Sequence, residues 1–245
     1  MPDHSIFSHN WLTSAIDSSM PEISLVKFSI GPVQSFINKA RRTEDFWAGS
    51  YILSYLTAKA CIYIIENIGI DNIIFPNIKG QPFIDLYLKA QGIDVNLENI
   101  ESKILSASLP NVIFFICPAE KVNELITAMI TDLKKQWLSV CNDIFNEFNF
   151  SEYAQQEIIK PVTENFLEFY YAYLNINKEK IADFADAYKR KFKDDIQKNG
   201  DYQANIGSYW ANLYKYLDNA FAASKLTRQF AYISEKGRKC SLCGE

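Results

Sequence analysis

The sequence predicts an α+β protein: an α/β sandwich on a ferredoxin-like core, with helices on one face of a mixed sheet and further helices added. Three observations carry this. Apolar, β-favouring runs recur at residues 25–30, 111–117 and 166–174. Long stretches of helical apolar spacing separate them. The resulting order is β–α–(β)–β–α–β with terminal helices, an alternation that favours helices laid against a sheet.

Taken in order, residues 11–16 (WLTSAI) follow a polar start and read as a helix. The two histidines, His4 and His9, precede it. Their spacing sets them about 140° apart around a helix, so they make no i, i+4 metal pair. Each reads as a surface or capping residue. After Pro21 comes LVKFSI, residues 25–30, a buried strand closed by Gly31-Pro32. Pro32 suits the first turn of a helix, where its missing N–H is not needed. From Val33 the residues Phe36, Ile37, Ala40, Phe46, Trp47, Ile52, Leu53 and Leu56 recur at roughly helical spacing, with a break expected near Ala48-Gly49-Ser50. Gly31 admits a close neighbour, and a new helix aims free N–H groups outward, which suits a phosphate. A plain structural β-to-α turn fits the same residues, since a lone Gly-Pro turn resembles no phosphate loop.

The helix runs on through Ala58, Cys61 and Ile65 to a stop at Gly69. Residues 72–76 read as a short strand, Gly80-Gln81-Pro82 as a turn, and residues 82–87 as a short edge segment. Residues 90–108 form a polar insertion with one helix. In NVIFFIC, residues 111–117, six consecutive apolar residues make the least ambiguous strand. A helix is expected over residues 119–148, with Val122, Leu125, Ile126, Met129, Ile130, Leu133, Trp137, Leu138, Val140, Cys141 and Ile144 on one broad stripe. An aromatic run at 166–174 gives another strand, residues 178–198 a charged amphipathic helix, and residues 208–223 a last helix.

Composition bounds the function. Hydrophobic residues make up 48% and aromatics 14% of the 245 residues, which marks a globular chain and excludes a disordered one. A net charge of −4 and a pI of about 5.4 give no broad electrostatic footprint for nucleic acid. Local basic clusters (Lys39, Arg41, Arg42; Lys189, Arg190, Lys191, Lys193) can touch a backbone, and equally form solvated faces. No run reaches the roughly 18 to 20 apolar residues that span a bilayer, and residues 1–11 lack a signal-peptide pattern. The expected compartment is the cytoplasm. Cys61, Cys117 and Cys141 stand in apolar contexts that suit buried thiols of a reducing compartment.

Cys240 and Cys243 differ. Cys-Ser-Leu-Cys-Gly in a turn-prone basic context looks like a zinc knuckle, and its two thiolates supply half of a tetrahedral site. The partner pair is then expected beyond Glu245. A redox Cys-x-x-Cys normally opens a helix after a strand, and two free thiols are the plain alternative.

FSIGPVQSFINKARRTEDFWAGSYILSYL strongly resembles the signature of the large, polymerase-like subunit of type III CRISPR effector complexes, in its Cmr-type, type III-B form. Four further stretches agree, in the family's order: PDHSIFSHNWLTSAI, IIFPNIKGQPFID, NIGSYWANLYKYLDNAFAASKLTRQF and GRKCSLCGE. Together they cover essentially the whole chain. The resemblance implies three parts. Residues 1–20 would be the remnant of an HD-type nuclease region. Residues 21–177 would be a first palm-like, nucleotidyl-cyclase-like domain with an insertion, and residues 178–245 a helical segment leading to half a zinc element. In the family a second palm carries Gly-Gly-Asp-Asp and makes cyclic oligoadenylates from ATP once target RNA is bound. Neither that motif nor the nuclease's His-Asp pair occurs here; the latter would lie before Met1, with His9 as the last ligand of that site.

A catalytic palm holds two divalent ions over a triphosphate with acids on its first strand. Here that strand ends Phe28-Ser29-Ile30-Gly31, with no carboxylate, and Lys27 would repel a metal if it pointed there. The chain is therefore expected to bind nucleotide without transforming it; Mg²⁺ or Mn²⁺ would act only in the complete protein. Because the family holds ATP between its two palms, the resemblance makes Gly31, Pro32 and Gln34 candidates for cradling the nucleotide. Gly49 and Ser50 would form the opposite wall, with Arg41 and Ser54 as further contacts. The implied partners are the other subunits of the complex, with guide RNA and target RNA met through the assembly and no membrane. The alternative is a free-standing cyclase-like enzyme or HD-type nuclease, which needs a carboxylate pair brought together by the fold, such as Asp85 with Glu44 or Asp45.

Overall fold

The computed structural model describes residues 6–38, 40–148, 150–152, 155–156, 160–176 and 206–227. Its centre is β1 (Ile23–Gly31), which pairs antiparallel with β3 (Val112–Pro118) on one side and with β4 (Glu168–Ile176) on the other. β2 (Ile73–Phe75) completes the sheet beside β3, giving the order β2-β3-β1-β4. Neighbours are antiparallel throughout, so the expected mixed sheet is replaced by two split β–α–β units with antiparallel neighbours.

One face of this sheet carries α3 (Thr43–Asn67), α4 (Pro82–Ala90) and α6 (Val122–Glu147). Val26, Phe28 and Ile30 of β1 and Ile113, Phe115 and Cys117 of β3 meet Leu56 and Ile64 of α3 and Ile126, Met129 and Leu133 of α6. Burying each such side chain contributes about 1.5–3 kcal/mol before entropy is counted. The expected bare face is covered as well. The alternate residues Ile23, Leu25, Phe114, Ile116 and Ile176 pack against Ala15 of α1 (Ile6–Ser18) and against Leu213 and Leu217 of a C-terminal helix, Ile206–Leu226. Two covered faces explain why β3 reads as a continuous apolar run and does not alternate.

Three further expectations are revised. A short α2 (Gln34–Ile37) follows Gly31-Pro32, and the chain breaks after Asn38 and before Thr43. α3 then runs unbroken through Ala48-Gly49-Ser50. Asp45 accepts the N–H groups of Arg41 (3.1 Å) and Arg42 (3.2 Å), which starts the helix there. An internal glycine costs only about 1 kcal/mol and is tolerated where packing holds the helix. Residues 82–87, expected as an edge segment, begin α4: Pro82 stands in the first turn, and Ile84 and Leu88 point into the core. Pro32 lies outside any helix, after a cis peptide bond with Gly31.

The insertion carries α5 (Ile100–Lys103), and α7 (Lys160–Asn165) precedes β4. The C-terminal helix is α8. By length and composition α3 could cross a membrane, but half of its most apolar window is buried inside the protein, as in a core helix.

Candidate functional site

The end of β1 is braced by one short segment. Ile30 donates its N–H to the carbonyl of Asn111 (3.0 Å), and the Asn111 side chain donates back to the Ile30 carbonyl (3.0 Å). Two residues earlier, the Leu109 N–H donates to the buried Ser54 hydroxyl of α3 at 3.0 Å. Residues 109–111 thus tie α3 to the strand end that precedes Gly31. Both partners are buried at Ser54, so losing this bond leaves a peptide N–H unsatisfied.

The expected contacts separate into two groups. Gly31, Pro32 and Gln34 lie together at the turn, with Gln34 exposed and Pro32 half-buried. α2 packs against α3, which brings the turn beside that helix. Gly49 and Ser54 are buried in α3, and the Ser50 hydroxyl donates to the Phe46 carbonyl of its own helix (3.0 Å). Arg41 is exposed just before α3. At four residues, α2 has too few aligned peptides for the phosphate-drawing dipole expected of a long helix at this point.

Sequence reasoning did not find the residues of β4 that lie beside Gly31. Gly31 pairs with Glu168 of β4, and a Cβ on Gly31 would lie 3.5 Å from Tyr170 Cε2 and 3.7 Å from Glu168 Cβ. That is ordinary contact, and the Gly31 φ lies outside the left-handed region, so glycine is not required there. The Tyr170 hydroxyl donates to Glu168 Oε2 at 2.6 Å. Only register places these residues opposite Gly31, and register is not written in any motif.

Lys27, the one charged residue of β1, points onto the face shared by Leu25 and Ser29. Its ammonium pairs with Asp218 of α8 and faces the rings of Tyr214 (5.2 Å) and Phe221 (5.4 Å). The middle of this sheet face thus holds a lysine engaged with a helix. Of the carboxylates of the enzyme alternative, Asp45 and Asp85 are each engaged by backbone N–H groups and Glu44 is exposed at the start of α3. Asp45 caps α3, while Asp85 on α4 accepts the Gly80 N–H. Burial pushes the Asp85 carboxyl up, opposed by the Gly80 N–H and by Lys103. Among the described residues no group of three or more His, Cys, Asp or Glu gathers in a metal-holding arrangement. Burial also pushes the Cys61 and Cys117 thiols up to about 12 and Cys141 to about 11, so all three are protonated packing residues. His9 is exposed on α1; His4, Cys240 and Cys243 lie outside the described residues, as does the helix expected over 178–198.

The architecture defines a class first. Two solved structures share this fold: a type III-B Cmr-beta cryo-EM structure in the apo state (TM-score 0.58, 19% identity) and one bound to cognate target RNA (TM-score 0.57, 20% identity). Each match covers 92% of this chain and 25% or 26% of the other. The family described as CRISPR-associated protein Cmr2, N-terminal, matches residues 25–142. The CRISPR system Cmr subunit Cmr2 of Pyrococcus furiosus is 32% identical over all of this chain, and that of Saccharolobus solfataricus is 29% identical over 53% of it. Over its whole length the chain is similar to the N-terminal part of Cmr2. It spans 29% of the length of the Pyrococcus relative and 11% of the Saccharolobus one.

Proposed function

We propose that this chain is the non-catalytic, ferredoxin-like palm portion of the large subunit of a type III-B CRISPR RNA-guided antiviral complex, and that it holds ATP at the Gly31 turn. One observation carries the reading. Where a catalytic palm needs carboxylates, β1 ends in Ser29-Ile30-Gly31, and the neighbouring Lys27 is engaged by Asp218. Such a strand cannot gather divalent ions, but the turn after it, buried at Gly31, half-buried at Pro32 and exposed at Gln34, can receive a nucleotide. Gln34 would hydrogen-bond base or ribose, Gly31 and Pro32 would approach the phosphates, and Tyr170 with Glu168 would close the far side.

The neighbours would be the other subunits of the complex in the cytoplasm, with guide and target RNA met through the assembly. The likeness to a type III-B Cmr-beta structure bound to cognate target RNA supports this. The whole protein would make cyclic oligoadenylates on a second palm, with Mg²⁺ or Mn²⁺ held there. Cys240 and Cys243 would give two of four zinc ligands, and His9 would be the last ligand of an HD-type site. The test is photo-crosslinking of 8-azido-ATP to the protein followed by peptide mapping. Label concentrated in peptides of residues 31–54 and 168–170 supports the reading. Absence of label, or label confined to other peptides, contradicts it.

A further inference from the structure

The contacts of α8 form a circuit that starts and ends on β1. Lys27, at mid-strand, pairs with Asp218 and faces the ring of Phe221. One turn further along α8, the Lys225 ammonium stands 4.6 Å from the same Phe221 ring and 6.0 Å from the Tyr170 ring. Tyr170 in turn lines Gly31 at the strand end. Asp218, Phe221 and Lys225 fall on one face of the helix, at spacings of three and four residues. Leu213 and Leu217 of α8 pack apolarly against the sheet. Apolar packing tolerates small sliding, whereas an ammonium needs its carboxylate and its rings at set distances, so the charged contacts define where the helix sits.

We propose that α8 regulates the Gly31 turn: the Lys27–Asp218 pair sets the position of the helix, and through Lys225 the helix sets the position of Tyr170, the wall of the nucleotide site. This rests on the nucleotide reading above and adds its regulation. A displacement of α8 along the sheet moves Lys225 off Tyr170 and loosens the wall. By reciprocity, a nucleotide seated against Tyr170 holds α8 in place. The signal needs no new contact at the turn, because the Asp218 carboxylate is 40% exposed and open to a competing partner.

The experiment uses Asp218→Asn and Lys225→Ala, with Lys134→Ala on α6 as control. Amide exchange is read at Gly31, Val33 and Gln34, and affinity with mant-ATP. The account predicts that both α8 variants speed exchange at the turn by about fivefold, the worth of one half-exposed ion pair, while the control does not. It also predicts that ATP slows exchange along α8. Faster exchange in α8 with none at the turn overturns the coupling. If unmodified protein fails to bind mant-ATP, the nucleotide reading falls, and the exchange of the variants still decides whether helix and turn are coupled. Preserved binding with an unchanged turn overturns only the regulation.

Discussion

Ser54 and Asn111 show how far one side chain reaches. Ser54 accepts the Leu109 N–H and Asn111 donates to the Ile30 carbonyl, so residues 109–111 link α3 to the β1 end. Ser54→Ala strips the acceptor from the buried Leu109 N–H and should cost about 1–3 kcal/mol in urea unfolding. An unchanged midpoint would mean that Ser54 does not brace the wall. Gly31→Ala should fold with a stability change of about 0.5 kcal/mol or less, since its Cβ would meet Tyr170 at ordinary contact distance. Cys61 and Cys117, held near 12, should resist iodoacetamide at pH 8 in native protein and react after denaturation, as read by peptide mass spectrometry. Asp85 titrates with a raised folded-state value, so the folded state binds its proton more tightly than the unfolded chain. Its contribution is therefore fully present below the ordinary carboxylate range and is lost as pH rises through the raised value. Asp85→Asn should flatten that part of the stability profile; a profile identical to the parent would contradict the burial argument. At this scale the apolar core was legible, because burial follows side-chain chemistry. Lys27 was not: its partner Asp218 lies 191 positions away, beyond any local spacing signal.

Elements were legible where period and length agreed. The α6 stripe, with Val122, Ile126, Met129 and Leu133 buried, follows the helical period, and β3 follows its run of β-favouring residues. Two elements misled. Residues 82–87 are too short for periodicity to separate helix from strand, and Pro82 marks a helix start as readily as an edge. At the other site, Gly49 drew the expected break into a stretch that α3 traverses, while the true start is set by the Asp45 cap. Asp45→Ala should therefore cost about 1 kcal/mol, measured by thermal or urea unfolding. No loss of stability would mean that the cap does not set the start of α3.

For the whole molecule, the order of elements was legible and the layering was not. The continuous apolar run of β3 is that of a strand buried on both faces, yet a single helical layer was expected because the helices covering the second face lie at the two ends of the chain. That second layer bears directly on function. α8 lies over the second sheet face, and Lys27, engaged by Asp218, occupies its middle. The claim that follows is binding without chemistry. It is tested most directly by incubating the purified chain with radiolabelled ATP and Mg²⁺ or Mn²⁺, resolving the products, and repeating with Asp85→Ala. The account predicts unchanged ATP in every sample. Formation of cyclic or linear oligoadenylates that is abolished by Asp85→Ala would contradict it and establish a catalytic carboxylate in this chain.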